Sequence, residues 1–368
     1  MPIRLLHFLV LAMLAMAASA HGIDHASAQA VARAFALAKP DAGLAGMRLV
    51  HNEPSATQPG AWAWHLLSSD SAFVVVSGDD DATATVLAYG DCCVDMEHLP
   101  PAMRHLLDAY REQMDGAHPA QVRRAMPDGI VVPPMITTQW FQGKPFNRYC
   151  PLIDSARCMT GCCATAVSQV LNYWQYPAGQ TATVEGYEFV YNDSTYSLDE
   201  LPPTVFDWEN MRSSYNNGYT ETQANAVGWL MRYVGQAIRT TYGPNYSSSG
   251  PTLMCNGVKA LGYDQQARIV KSDPNAPFTS DDQWVETLLG EMEAGRPVVY
   301  AAKSKTEQHA FIIDGYDGEG LFHVNFGWGG LGNGYYALDA LSYGGMDFKY
   351  YHQMIVGVQP PLGAFGPE

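Results

Sequence analysis

Two adjacent cysteines, Cys162 and Cys163, follow Thr160 and Gly161 at the start of a run with helical spacing. Cys163, Val167, Val170, Leu171 and Trp174 recur at intervals of three and four, one face of a helix, and Pro177 stops it. A thiol in the first turn of a helix meets unpaired backbone N–H groups and the positive end of the helix dipole, which favours its thiolate. A thiolate is the nucleophile of cysteine catalysis. The same pair read alone would also serve as two small buried hydrophobes. Residues farther along the chain decide between the two.

His309 opens the apolar run His309–Ile313, the turn formers Asp314, Gly315, Asp317, Gly318 and Gly320 follow, and Leu321–Phe326 returns. That pattern predicts a β-hairpin. With the turn centred on Asp317, His309 and Asn325 stand opposite each other on one face. A cysteine protease needs that relation: an imidazole takes the thiol proton, and an amide oxygen holds the other ring nitrogen. A slip of one residue would break it. His323, two residues from Asn325, is a rival imidazole. The strand-end position favours His309 and leaves His323 to a supporting hydrogen bond or to packing.

Gln142 lies about twenty residues before Cys162. Its amide suits an oxyanion donor acting beside the backbone N–H of the nucleophile, although a plain surface-loop glutamine fits the same residues. Gly327, Trp328, Gly329, Gly330, Leu331 and Gly332 match the Gly-x-Gly-x-x-Gly string, but Tyr335–Leu338 after them reads as a strand. A dinucleotide site needs a helix there, so the glycines are expected to form a tight turn that lets Trp328 cover the site. Cys158, Cys162 and Cys163 find no fourth ligand at a recognisable zinc spacing. No metal or organic cofactor is expected.

These residues need elements to hold them. Residues 1–20 read as a secretory signal peptide: Arg4, an apolar run from Leu5 to Met16 broken by His7, then Ala18-Ser19-Ala20 for cleavage. The run is too short to span a bilayer. A chain of 368 residues implies two domains. The first would hold a helix at Ala28–Ala38, strands at Ala61–Leu67, Ala72–Ser77 and Thr85–Tyr89, and an amphipathic helix at Leu99–Met114. Asp115–Pro134 loses periodicity and reads as a linker, with Arg123-Arg124 as a place for a protease to cut. From Ile136 onward, a helical half carries the Cys162 helix and a second at Ala224–Ile238. A β half carries Val298–Ala302, His309–Ile313, Leu321–Phe326, Tyr335–Leu338 and Gln353–Val358. That is an α+β arrangement with the crevice between halves as the natural site.

A net charge of −16 argues against nucleic acid or anionic lipid as a partner. Seven cysteines, an odd number, leave at least one unpaired in an oxidising compartment. Cys150 and Cys158 flank a short loop that a disulfide could close, whereas Cys92 and Cys93 are adjacent and could join only as a strained ring.

The run TGCCATAVSQVLNYWQYP, from Thr160, resembles the nucleophile helix of the streptopain family of secreted bacterial cysteine peptidases. HAFIIDGYDGEGLFHVNFGWGG, His309–Gly330, resembles the segment holding that family's histidine. Trp140–Asn147 and Gln353–Pro360 also fit, and residues 24–125 are similar to the family's inhibitory propeptide, notably Ala72–Asp79. The resemblance covers nearly the whole chain. It implies a papain-like fold made as a zymogen, divided into a signal peptide (1–20), an inhibitory propeptide domain (21–130) and a peptidase domain (131–368). It puts the nucleophile on Cys162, the base on His309, the oxyanion donor on Gln142, the asparagine on Asn325 and the tryptophan loop on Trp328. Three residues depart from the family pattern: Cys163 replaces valine, Gln308 replaces the glycine before the histidine, and Phe326 replaces tryptophan. Gln308 and Trp328 are thereby the candidate substrate contacts.

The implied activity is hydrolysis of protein or peptide substrates through a thioester, in a secreted protein, extracellular or periplasmic, inhibited by its own propeptide. Two other classes stand beside it: a transglutaminase-like acyltransferase using the same cysteine and histidine, and a secreted inhibitor or binding protein with a dead site, in which the prosegment fold is the working part.

Overall fold

The computed structural model describes residues 22–80, 85–115, 130–271, 279–303, 308–338 and 352–364. The signal peptide and Arg123-Arg124 lie outside the described residues. Among those described, no helix is long and apolar enough to cross a membrane.

The amino-terminal segment folds as helix α1 (His25–Ala38), strands β1 (Arg48–Pro54), β2 (Trp62–Ser68), β3 (Phe73–Ser77) and β4 (Val86–Gly90), and helix α2 (Pro101–Asp115). α1 begins ahead of the expected Ala28 because the Asp24 carboxylate accepts from the Ser27 N–H and caps it. β1 escapes sequence reading because His51, Asn52 and Glu53 break its alternation. The rest of the chain adds a small hairpin, β5 (Leu152–Ile153) and β6 (Ala156–Arg157), and helix α3 (Cys162–Trp174). A second hairpin, β7 (Tyr187–Tyr191) and β8 (Ser194–Leu198), precedes α4 (Glu221–Ala237), α5 (Pro251–Ala260), β9 (Arg268–Lys271) and α6 (Thr279–Glu293). β10 (Val298–Lys303), β11 (Gln308–Tyr316), β12 (Phe322–Asn325), β13 (Gly334–Tyr336) and β14 (Gln353–Val356) complete it.

One ten-stranded sheet runs through both parts in the order β1-β2-β3-β4-β13-β12-β11-β10-β14-β9. The seam is the antiparallel pair β4–β13, with Tyr89 opposite Tyr335 and Ala88 opposite Tyr336. Alternation along the carboxy-terminal strands splits the interior in two. Val298, Tyr300, Phe311, Ile313, Met354 and Val356 share a core with the amino-terminal segment. Val299, Ala301, Ala310, Ile312 and Ile355 face the helical half and pack with Val167, Val170 and Leu171 of α3. α2 spans the seam, packing on both β2 and β11.

Polar contacts pin the seam at its rim. Lys39 reaches Asp317 and Glu319, both at 3.2 Å, and the Tyr89 hydroxyl donates to Asp317 at 3.3 Å. The Tyr89 and Tyr335 rings stack at 4.9 Å. Where sequence reading expects two units joined by a linker, one sheet and one core run through both segments.

Candidate active site

α3 begins at Cys162, preceded by Gly161 at φ +83°. A Cβ on Gly161 would stand 2.5 Å from the Ser247 carbonyl oxygen, so both conformation and space require glycine. Cys163 and the stripe after it are buried, while Cys162 keeps partial exposure at the helix start. The apolar face that makes the helix therefore also aims the preceding sulfur outward.

The Ala310 N–H of β11 donates to the Cys162 sulfur at 3.4 Å. A hydrogen bond from the neighbouring Cys163 thiol is the largest influence holding the Cys162 pKa well below the ordinary thiol value. Burial opposes it, and the His309 imidazole and the Ala310 N–H reinforce it. Cys163 responds in the opposite sense: the same hydrogen bond and its burial hold it well above that value. The Ser249 carbonyl oxygen, 3.4 Å from its sulfur, competes with the Cys162 sulfur for its single S–H.

Cys163→Val removes one donor to the thiolate while keeping a small apolar side chain. Losing a donor to the charged form raises the Cys162 pKa. The acid limb of the iodoacetamide alkylation profile should therefore move to higher pH. A profile superimposable on that of the parent would remove Cys163 from thiolate stabilisation.

His309 lies at the start of β11, paired with Ala302 of β10, and Gln308 beside it is exposed. The His309 ring stands 5.0 Å from the ring of His105 on α2, so the amino-terminal segment reaches the imidazole. Across the cleft, the Gln142 carbonyl accepts from the Thr160 N–H at 3.1 Å and from its hydroxyl at 3.3 Å. This ties the glutamine loop to the residues leading into Cys162. Trp328 meets Phe141 edge to face at 5.2 Å, and the Gly329 N–H donates to the Trp140 carbonyl at 2.9 Å. Gly327, Gly329, Gly330 and Gly332 all have positive φ, as a tight turn requires.

One expectation fails. Asn325 stands opposite Ile312, not His309. Asp317 does not centre the turn but opens it: its carboxylate accepts from the N–H groups of Glu319 and Leu321, and its own N–H donates to the Leu321 carbonyl. A register irregularity between Ile313 and Gly315 adds a further offset. Asn325 consequently shares the face of Ile312, toward the helical half. Its amide donates to the Thr138 carbonyl at 2.7 Å, and its oxygen accepts from the Gly327 N–H at 3.0 Å and from Gln169 at 3.4 Å.

His323, the rival imidazole, is buried and bonds Asp314 through Nδ1 at 2.6 Å. The other Asp314 oxygen accepts from the Ile136 N–H at 2.6 Å.

Sequence reading missed Gln169. It follows Cys162 by two helical turns on the same face, is fully buried, and accepts from the Thr138 hydroxyl at 2.8 Å and the Trp140 N–H at 3.3 Å. With its bond to Asn325 it joins the nucleophile helix, the glutamine loop and the histidine hairpin. A single amide among Val167, Val170 and Leu171 is the available signal, because a buried amide must find partners.

Known proteins bear likenesses to this architecture. Residues 140–336 match the model of the Peptidase C10 family, and residues 20–114 match the Spi protease inhibitor model. Streptopain of Streptococcus pyogenes is 28% identical over 324 residues, covering 79% of each chain. The thiol protease/hemagglutinin PrtT of Porphyromonas gingivalis is 25% identical over 275 residues, 70% of this chain and 31% of that protein. Among solved structures, prointerpain A of Prevotella intermedia superposes with a TM-score of 0.70 at 31% identity, over 85% of this chain and 99% of that one. Active interpain A cysteine protease of the same organism gives 0.54 at 36% identity, over 62% and 95%.

Proposed function

The chain belongs to the Peptidase C10 family, and on that premise we propose that it is an exported cysteine endopeptidase whose nucleophile is Cys162 and whose base is His309. The carrying observation is the Cys162 sulfur, held at the first turn of α3 and biased toward thiolate by donors that include the His309 ring. An amino-terminal segment matching a protease-inhibitor model places a helix against that ring, the arrangement of a zymogen. The acyltransferase and inert-binder readings have no support in these likenesses.

In the proposed cycle, the Cys162 thiolate attacks the peptide carbonyl beside protonated His309. The Cys162 backbone N–H and the Gln142 amide receive the oxyanion. His309 gives its proton to the leaving amine, then draws one from the water that cleaves the thioester. Asn325 acts as a positioning residue: it fixes the Gly327 turn and the Thr138 segment, on which Trp328 and the glutamine loop depend. Trp328 and exposed Gln308 flank the cleft and contact substrate.

Residues 1–20 direct export, residues 21–130 form the inhibitory propeptide, and residues 131–368 form the peptidase. The propeptide inhibits by keeping α2 and its His105 over His309 and by adding β4 to the sheet edge at β13.

Mass measurement of the self-activated protein after treatment with an epoxide thiol-protease inhibitor tests the assignment. The expected product is a chain beginning between Asp115 and Pro134 with a single adduct on Cys162. An adduct on any other cysteine, or none with activity intact, would refute it.

A further inference from the structure

A chain with a net charge of −16 has few cations to spare. Yet three of the six residues lining a cavity of about 650 Å³ are basic: Lys144, Arg148 and Arg157, with Pro145, Asn147 and Tyr149. Arg148 is offset by exposed Glu221 at 2.5 Å. Among the described residues, no carboxylate forms an ion pair with Lys144 or Arg157. Arg157 donates to the Cys150 backbone carbonyl. Lys144 and Arg157, both exposed, therefore leave positive charge at the recess that no described carboxylate pairs, available to an anion that enters it.

Its position gives it a use. Lys144 follows Gln142 by two residues, and the Gln142 carbonyl is bonded to Thr160, two residues before Cys162. The opposite wall is equally fixed. The Asn147 N–H donates to the Gly143 carbonyl at 3.1 Å, and its side chain donates to the Cys158 carbonyl at 3.0 Å beside the β5–β6 hairpin. The recess thus adjoins, through the glutamine loop, the residues that lead into Cys162.

We propose that the Lys144–Arg157 pocket is a subsite for an acidic side chain of the substrate, giving the enzyme a preference for aspartate or glutamate near the cut. The proposal rests on the peptidase reading and assigns a specificity to the same cleft.

The test uses self-activated enzyme and internally quenched peptides. One parent peptide is neutral. In a series built on it, glutamate and glutamine are placed in turn at each position on both sides of the cut. At one position or two adjacent ones, glutamate should exceed glutamine in kcat/KM by about three- to tenfold at low ionic strength, the scale of a partly exposed ion pair. The ratio should shrink in 1 M NaCl. It should be lost in Lys144→Gln and Lys144→Glu and kept in Lys144→Arg, with cleavage of the neutral parent unchanged in all three. Lys144 is exposed, so these changes leave the core untouched. Equal rates for glutamate and glutamine at every position, or a ratio that survives Lys144→Gln, would overturn the subsite while leaving the peptidase standing. Failure to cleave any peptide, the neutral parent included, would take down the peptidase reading and the subsite together.

Discussion

Cys162→Ala is expected to lower casein hydrolysis by on the order of 10⁴-fold or more and to leave the prosegment attached to the purified protein. The size follows from the chemistry: without the sulfur no thioester forms, and only binding and the oxyanion donors remain. Cys163, the adjacent sulfur, does not replace it. It is 3% exposed, faces the helical core, lies within reach of the Ser249 carbonyl and has a pKa held well above the ordinary thiol value. Such a thiol supplies little thiolate and has no path to a substrate carbonyl. SDS gels of the purified variant, together with a casein assay, read both effects. Substantial activity, or prosegment removal at the rate of the parent, would move the nucleophile away from Cys162.

Asp314→Ala should cost about 3–5 kcal/mol of stability, the largest effect expected from a residue that takes no part in the chemistry. Asp314 is fully buried in β11 and serves two partners at once, the His323 ring and the Ile136 N–H. Its own carbonyl also accepts from the Met135 N–H at 3.0 Å. Alanine leaves a buried imidazole and a buried amide without their acceptor, and each loses solvation that nothing returns. Asp314→Asn keeps an oxygen acceptor and should lie between alanine and the parent. Urea unfolding in the Cys162→Ala background, which prevents self-digestion, gives the comparison. A loss below about 1 kcal/mol for Asp314→Ala would show that the pair only offsets its own desolvation.

Chemistry confined to a short stretch was legible in the sequence. The glycine, the cysteine and the apolar stripe after them place a sulfur at a helix start using local spacing alone. The glycine-rich turn around Trp328 was legible for the same reason, since a missing helix signal downstream ruled out a nucleotide loop. The hairpin from Gln308 to Asn325 was legible as a hairpin but not in register. Turn residues fix that a chain reverses, whereas its exact pairing depended on an aspartate bonding forward across the turn and on an irregularity beside Asp314. The asparagine expected beside His309 was thereby turned toward Gln169 and the helical half.

The sequence alone singled out the candidate residues for the chemistry and located four of the helices and the strands of the β half, because helical and strand periodicities are local properties. Only the tertiary structure decided that one sheet runs unbroken from the amino-terminal segment into the β half, that His105 faces His309, and that Lys144 and Arg157 meet in one cavity. Those relations join residues that no local pattern connects. They follow from how buried faces and hydrogen-bonded edges find partners across the whole chain.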